Sequence, residues 1–214
     1  MNEPYEFDLP GESTAVLVID MQNDFCAPEG FFAGVGADIS PCIAVIPAVR
    51  RIVDTAHEVA VPVIYTRMSN TPETMLPQQH RIKPRRDRRA ARTAVCVTGS
   101  WGAEIVDELA PAAEELVIDK HQYSAFFQTE LETTLRDRGI DTLVVTGATT
   151  NACVDSTIRD AYFRGFDVVL VADAVGCYEQ SIHDALVENT DILFGAATTA
   201  DYTVGRLLAR TVTA

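Results

Sequence analysis

The sequence predicts an α/β fold in which a mainly parallel, six-stranded sheet lies between two layers of helices. Strand-like apolar runs alternate with helix-like segments along the chain, and this order is typical of a parallel sheet covered on both faces. The runs 143–145 and 168–171 are continuously apolar, as expected for strands that are buried on both sides. We therefore predict one Rossmann-like, three-layer α/β/α domain.

The elements follow one another in a regular order. Strands are predicted near 14–20, 61–66, 115–119, 142–147 and 167–172, with a short sixth strand near 191–195. Helices are predicted near 41–60, 128–138, 151–165, 181–190 and 200–211. With 214 residues and 47% hydrophobic composition, the chain is long enough for one sizeable core and short for two. Residues 1–214 are therefore predicted to form a single domain.

Composition and charge exclude several classes of partner. A formal net charge of -14 at pH 7 argues against nucleic acid, because phosphate binding depends on clustered basic surface. No apolar run approaches the roughly 20 residues of a membrane helix. The first residues contain no basic leader followed by an apolar segment, which predicts a cytoplasmic protein. The 5 cysteines are irregularly spaced and indicate neither a disulfide framework nor a zinc site.

Cys153 is the candidate nucleophile. It follows a strand candidate and Gly147, which permits a sharp turn, and Asn151 is placed to cap a helix that begins here. Free N–H groups at a helix start favour a thiolate, so this position is expected to lower the cysteine pKa and to provide an oxyanion site. The alternative is that Cys153 is a small, buried, apolar residue.

Two charged residues end other strands of the sheet. Asp20 ends the first apolar run and Lys120 ends a later one. Because the carboxyl ends of parallel strands share one edge, Asp20, Lys120 and Cys153 are expected to converge. Lysine occurs only at positions 83 and 120, which separates Lys120 from generic surface residues. The alternatives are that Asp20 caps a turn and that Lys120 pairs with Asp119 or a nearby acid.

Three segments around these residues resemble the isochorismatase-like cysteine hydrolases. The resemblance extends from about Thr14 to near Leu207, in a family that includes nicotinamidases and the amidohydrolases of N-carbamoylsarcosine, ureidoacrylate and biuret. The segments are VIDMQNDF (18–25), KHQYSAF (120–126) and TGATTNACV (146–154), with Ser156 and 159–161 following.

The resemblance implies a catalytic triad of Asp20, Lys120 and Cys153, and a cis peptide bond between Ala148 and Thr149. The backbone N–H groups of Thr149 and Cys153 would then face the substrate oxygen. Asp20 would accept the thiol proton, and Lys120 would offset the developing negative charges. The thiolate would attack an amide-type carbonyl and form a thioester that water hydrolyses. No step requires a cofactor or a metal.

Differences between this sequence and individual subfamilies narrow the choice of substrate. Nicotinamidases carry a metal-binding Asp and His pair after the second strand, but residues 65–70 contain no histidine and the next one is His80. Enzymes that cleave isochorismate itself generally lack the cysteine. Segments 99–102 and 123–127 look closer to the ureido and carbamoyl amidohydrolases.

The sequence thus predicts an amidohydrolase that cleaves a C–N bond of a small linear amide, ureido or carbamoyl substrate. The alternatives are a nicotinamidase-like hydrolase of an aromatic amide and a catalytically silent binding protein with the same fold. Loss of turnover in Cys153→Ala with folding retained is expected under either enzyme interpretation.

Four residues are candidate substrate contacts, because each follows a strand end or lies in one of the three segments: Phe25, Arg67, Tyr123 and Phe126. Arg67 is suited to clamp a carboxylate with two hydrogen bonds. Its alternative is a salt bridge at the strand end. The aromatic residues could instead pack beneath the loops.

Basic side chains crowd residues 81–92 of this otherwise acidic protein. We interpret 81–102 as an insertion that forms either a solvated loop or a subunit contact. The alternative is a lid whose cations attract an anionic substrate. Relatives usually assemble as dimers or tetramers, so a homodimer or homotetramer is expected, with the exposed side of the helix after Cys153 as a candidate contact.

Overall fold

The structure, a computed structural model, describes Phe7, Leu9, residues 12–74 and residues 95–209. The arginine-rich segment 81–92 lies outside the described residues. Of the interpreted insertion 81–102, only residues 95–102 are described.

Six strands form one sheet in the order β3-β2-β1-β4-β5-β6, and every neighbouring pair is parallel. The central strands β1 and β4 are buried along their whole length, as their continuous apolar sequences predict. The predicted fold class is confirmed. The strands are β1 Thr14–Ile19, β2 Val63–Met68, β3 Leu116–Lys120, β4 Thr142–Ala148, β5 Asp167–Gly176 and β6 Ala196–Thr198.

Helices cover both faces of this sheet. They are α1 Asn23–Cys26, α2 Phe31–Gly34, α3 Ser40–Ala44, α4 Ile46–Glu58, α5 Leu131–Asp137, α6 Asp155–Phe163, α7 Gln180–Leu193 and α8 Ala200–Ala209. Helices α4 and α8 pack against each other and on β5, and α6 and α7 form a second such pair. The buried positions of α4 recur at helical spacing, for example at Val49, Ile52, Val53 and Ala56, which gives the helix its core-facing side. No helix within the described residues is long and apolar enough to cross a membrane.

Two predicted element boundaries are wrong. The sixth strand is β6, at Ala196–Thr198, and not a strand near 191–195, because α7 continues to Leu193. The apolar side chains of Ile192 and Leu193 are exposed on the last turn of this helix. The helix predicted near 41–60 is divided into α3 and α4.

Strand register brings distant residues to the same edge. Ile19 lies opposite Gly147, and Met68 lies opposite Lys120. Asp20, which follows β1, therefore lies at the carboxyl edge with the ends of β2, β3 and β4. The strand order reverses between β1 and β4, and in open parallel sheets such a reversal opens a crevice at the carboxyl edge.

Candidate active site

Asp20, Lys120 and Cys153 meet at this carboxyl edge. The Lys120 Nζ lies 2.7 Å from the Asp20 Oδ2, and both side chains lie close enough to the Cys153 thiol to shift its pKa. Asp20 and Lys120 have no exposed surface and Cys153 is 3% exposed. A base, a cation and a thiol are thus held together with little access to water, which strengthens every electrostatic interaction among them.

The two carboxylate oxygens of Asp20 have different surroundings. Asp20 has a φ of 48°, in the left-handed region that few residues other than glycine adopt. The Thr66 hydroxyl donates a 2.7 Å hydrogen bond to Oδ1. Within the described part of the chain, Oδ2 accepts no hydrogen bond of good geometry and faces the Lys120 ammonium. Oδ2 is therefore the oxygen that is open to the thiol proton.

Thr66 is not among the site residues predicted from the sequence, yet its hydroxyl orients the Asp20 carboxylate. We expect Thr66→Val to lower kcat/KM about tenfold, since a hydrogen bond to a charged group contributes about 1.5–3 kcal/mol and valine preserves the shape. Thr66→Ser keeps the hydroxyl and serves as the matched control. Steady-state kinetics with both variants measures the effect, and equal losses in the two would contradict this role.

Lys120 is fixed by two oxygens. Its Nζ contacts Asp20 and donates a 3.0 Å hydrogen bond to the carbonyl of Gln122. Burial alone lowers the pKa of Lys120, but its interactions with the Asp20 carboxylate and with Cys153 outweigh burial and raise the pKa overall. Lys120 is therefore an ammonium at neutral pH. Its ion-pair partner is Asp20 and not its sequence neighbour Asp119.

Cys153 lies in a π-helical turn, Thr150–Val154, between β4 and α6. The chain enters the turn through Gly147, whose φ is 115°, and through a cis peptide bond between Ala148 and Thr149. A Cβ at position 147 would lie 2.1 Å from the Ile19 carbonyl oxygen, so the close approach of β1 and β4 excludes every side chain there. Only glycine both adopts this positive φ readily and has no Cβ to collide with β1.

Asn151 does not cap this helix start. Its side chain is exposed within the π-helical turn, and no side-chain hydrogen bond caps the turn. The prediction of an Asn151 cap is therefore wrong. Backbone groups form some of the hydrogen bonds of the turn instead, because the N–H groups of Ala152 and Val154 donate to the Thr149 carbonyl.

The expectation of a lowered cysteine pKa is also wrong. Burial, followed by the negative charge of Asp20, raises the pKa of Cys153 to about 12, although Lys120 opposes the shift. The resting site therefore holds a thiol at neutral pH. Such a thiol needs a base in contact with it to become a nucleophile, and Asp20 occupies that place.

This pKa gives a pH-dependent prediction. We expect the rate of Cys153 alkylation by iodoacetamide to rise about tenfold per pH unit from about pH 7 to pH 10, because the thiolate fraction grows until the pH reaches the pKa. Peptide mass spectrometry reports the rate for this cysteine. The urea-unfolded protein is the control, and alkylation of its cysteines should level off about one pH unit above the ordinary cysteine pKa of about 8.5. A plateau below about pH 8 in the folded protein would contradict the raised pKa.

Asn23 and Asp24, which follow Asp20, hold the adjacent loops. The Asn23 side-chain amide donates to the carbonyl of Trp101 at 2.8 Å. The Asp24 carboxylate accepts backbone N–H hydrogen bonds from Phe31 at 2.9 Å and from Cys96 at 2.6 Å. Segment 95–102 is thereby tied to the chain that follows β1.

Gln22 is a second residue that the sequence analysis passed over. It is fully buried, and its amide nitrogen donates to the carbonyls of Met68 at 2.8 Å and Ala103 at 2.7 Å. Its amide oxygen accepts the Met68 N–H at 2.8 Å. Gln22 therefore joins the end of β2 to the segment that follows residue 95. Its place directly after a strand end, within the motif, was the available signal.

Two of the four candidate substrate contacts have other roles in the structure. Arg67 and Asp119 lie opposite each other on β2 and β3 and form a two-bond ion pair, at 2.7 and 3.0 Å. Side chains alternate along a strand, so Arg67 faces away from the side on which Thr66 reaches Asp20. Phe126 is 4% exposed and packs on Phe166, which precedes β5 at the opposite edge of the sheet. Arg67 is thus a salt-bridge residue and Phe126 a core residue.

Phe25 and Tyr123 remain near the carboxyl edge. Phe25 stacks on Phe32 with ring centroids 5.4 Å apart, and Phe32 contacts Tyr178, two residues after β5, at 5.0 Å. These rings form an aromatic wall beside the site. Tyr123 lies in the loop after β3 and is 45% exposed. Phe25 and Tyr123 stay predicted substrate contacts.

The loop after β3 is fastened to α6, the helix that follows Cys153. The Ser124 hydroxyl donates to the Asp160 carboxylate, and the Ala125 N–H donates to the Thr157 hydroxyl at 3.0 Å. Arg164 pairs with the same carboxylate at 2.8 Å. The segments that carry Lys120 and Cys153 are therefore held in register by side chains within the recognised motifs.

Comparisons with known proteins agree with this geometry. A family model described as the isochorismatase domain matches residues 14–201. The ureidoacrylate amidohydrolase RutB of Methylobacterium radiotolerans is 34% identical over 202 residues, which cover 90% of this chain and 78% of that protein. RutB of Acinetobacter baylyi is also 34% identical, and the matched residues cover 90% of this chain and 83% of that protein.

Solved structures share the fold. The N-carbamoylsarcosine amidase of Thermoplasma acidophilum has a TM-score of 0.70 and 26% identity, covering 88% of this chain and 97% of that one. A cysteine hydrolase from Pseudomonas syringae pv. phaseolicola has a TM-score of 0.86, covering 98% of this chain and 100% of that one; at 24% identity it speaks for the fold alone. The resemblance that the three sequence segments indicated is confirmed, and the chain belongs to the isochorismatase family of hydrolases.

Proposed function

We propose that this protein is a cysteine-dependent amidohydrolase that cleaves a C–N bond of a small linear amide, ureido or carbamoyl compound through a thioester intermediate. The observation that carries the proposal is the buried arrangement of Asp20, Lys120 and Cys153, in which a protonated thiol lies beside a carboxylate with one open oxygen. Similarity to two ureidoacrylate amidohydrolases supports the substrate class.

In the first half of the reaction, the Cys153 sulfur attacks the carbonyl carbon while its proton passes to the Asp20 Oδ2. The carbonyl oxygen becomes an oxyanion that the backbone N–H groups of Thr149 and Cys153 stabilise. The Lys120 ammonium offsets the negative charge that moves between sulfur and carboxylate. Asp20 then gives its proton to the leaving nitrogen, the C–N bond breaks, and ammonia or an amine leaves a thioester on Cys153.

In the second half, water replaces the departed amine. Asp20 accepts a proton from this water as its oxygen attacks the thioester carbon. The tetrahedral intermediate collapses, the C–S bond breaks, and the sulfur takes the proton back from Asp20. The site returns to its resting state of thiol, carboxylate and ammonium, with an acid released.

A substrate panel and mass spectrometry test this proposal. Ureidoacrylate, N-carbamoyl amino acids, biuret and nicotinamide are compared by the release of ammonia and carbon dioxide. Rapid quenching with a substrate that turns over is expected to give an acyl adduct on the peptide that contains Cys153. Turnover restricted to nicotinamide would favour an aromatic amidase. Turnover of the linear compounds without any adduct on Cys153, or no turnover of the panel at all, would contradict the proposal.

We propose that residues 1–214 act as one cytoplasmic domain in a homodimer or homotetramer. The 5 free, buried cysteines are compatible with a reducing compartment. Exposed apolar side chains at the ends of α6 and α7 support a subunit contact there, because monomers rarely expose large contiguous apolar patches. They are Tyr162, Phe163, Ile192 and Leu193.

Size-exclusion chromatography with light scattering checks this assembly. We expect Phe163→Glu to shift the mass towards the monomer, since Phe163 is 72% exposed and a charge would enter the contact. Val35→Glu is the matched control, because Val35 is also exposed, at 62%, and lies on another part of the molecule. A monomeric wild-type protein would rule out the assembly.

A further inference from the structure

Thr150, the first residue of the π-helical turn that carries Cys153, has two partners outside the turn. Its side chain is almost completely buried, with 1% exposed. The hydroxyl donates a 3.1 Å hydrogen bond to the Gly176 carbonyl at the end of β5. The same oxygen lies 3.0 Å from the Nδ1 of His183, in the first turns of α7.

The number of hydrogens decides which atom donates in the second contact. A threonine hydroxyl has one hydrogen, and a carbonyl oxygen only accepts, so that hydrogen points at Gly176. His183 must therefore donate from Nδ1 to the Thr150 oxygen. Burial lowers the pKa of His183, and Asp184 opposes the shift only in part. The neutral ring thus carries its hydrogen on Nδ1, and the protonated ring would keep the same donor.

The two hydrogen bonds of the Thr150 hydroxyl fix the π-helical turn from two sides. Gly176 lies opposite Ala148 in the β4–β5 register, so one partner of Thr150 belongs to the sheet. The other belongs to α7, which packs directly on the turn. Thr150 directly follows Thr149, whose backbone N–H is one of the two donors assigned to the oxyanion. Stabilisation of a developing charge depends on donors that are already in place, and small displacements of a reacting group are costly.

We propose that His183 is a positioning residue: by donating from Nδ1 to the Thr150 hydroxyl, it holds the turn so that the N–H groups of Thr149 and Cys153 meet the oxyanion. This inference rests on the proposed function. His183 acts through Thr150, so it affects the transition state and leaves substrate binding largely unchanged.

Two substitutions of His183 separate its hydrogen bond from its bulk. An asparagine amide places an N–H near the position of Nδ1, whereas a glutamine amide places it near Nε2. We expect His183→Gln to lower kcat about 10- to 100-fold with KM within about twofold, because a lost transition-state interaction appears in kcat. His183→Asn should restore most of the wild-type kcat. Equal kcat values for His183→Gln and wild type would overturn the proposal.

Thr150 supplies the second half of the test. Thr150→Val removes the hydroxyl with little change in shape, and Thr150→Ser retains it. We expect Thr150→Val to lower kcat at least as much as His183→Gln, because it also removes the hydrogen bond to Gly176. The double variant should lose no more than Thr150→Val alone, because the contact with His183 is already absent there. Losses that multiply in the double variant would show that the two residues act separately and would overturn the proposal.

A readout without turnover distinguishes this inference from the proposed function. A loosened turn exposes the Cys153 sulfur, so we expect iodoacetamide to alkylate it several-fold faster in His183→Gln and Thr150→Val, and at the wild-type rate in His183→Asn and Thr150→Ser. This pattern, in a protein that hydrolyses nothing in the panel, would support the positioning role while the proposed function fails. Unchanged alkylation in every variant would contradict the positioning role. Thermal melting checks folding, and if His183→Gln does not fold, the Thr150 pair decides.

Discussion

Replacing Cys153 by alanine will remove turnover and leave the fold intact. The proposed mechanism has no second nucleophile, so we expect kcat to fall by at least about 10⁴-fold, as for other nucleophiles of catalytic triads. The substitution removes one sulfur from a buried position and introduces no charge. Thermal melting and near-ultraviolet circular dichroism should therefore stay close to those of the wild type.

Cys26 offers a matched control for this variant. It is also 3% exposed, and burial raises its pKa to about 12, as it does for Cys153. Cys26→Ala should keep turnover within a few-fold of the wild type. If Cys153→Ala kept turnover, or if both variants lost it equally, the assignment of the nucleophile would fall.

Replacing Lys120 by methionine will lower both stability and activity. The Asp20 carboxylate would lose the cation 2.7 Å away, in a site with no exposed surface. Removing one partner of a buried ion pair costs about 3–5 kcal/mol, because the other charge stays uncompensated. Urea unfolding at about pH 7 measures the loss in the free energy of unfolding. Steady-state kinetics should show turnover lost in the same variant.

A double variant separates the two effects. Asp20→Asn combined with Lys120→Met removes both charges, so we expect most of the unfolding free energy to return while turnover stays absent. Asp20→Asn alone gives the reference for loss of the base. If the double variant were as unstable as Lys120→Met, the instability would come from packing and not from the unpaired carboxylate.

The sequence was sufficient for the sheet and for the convergence of the site, for a physical reason. Continuous apolar runs mark strands that are buried on both faces, and parallel strands end at a common edge. Asp20, Lys120 and Gly147 each lie at the end of such a run. Chain position alone therefore placed them near one another, and the isochorismatase motifs assigned their roles.

Other features depend on distances that no local pattern contains. The pairing of Arg67 with Asp119 requires the register between β2 and β3, and the core position of Phe126 requires knowledge of what packs on it. The raised pKa of Cys153 comes from burial and from Asp20, whereas sequence position suggested only a helix start. The position of β6 depends on where α7 ends, and the exposed apolar pair Ile192 and Leu193 still belongs to that helix.

The contact between β1 and position 147 has a consequence for attempts to alter this enzyme in the laboratory. An added methyl group would collide with the Ile19 carbonyl oxygen, which lies 2.1 Å from the Cβ position. Random mutagenesis should thus recover no functional replacement of this glycine. Changes to the site would have to come from other positions, because the two central strands leave no room for a side chain at 147.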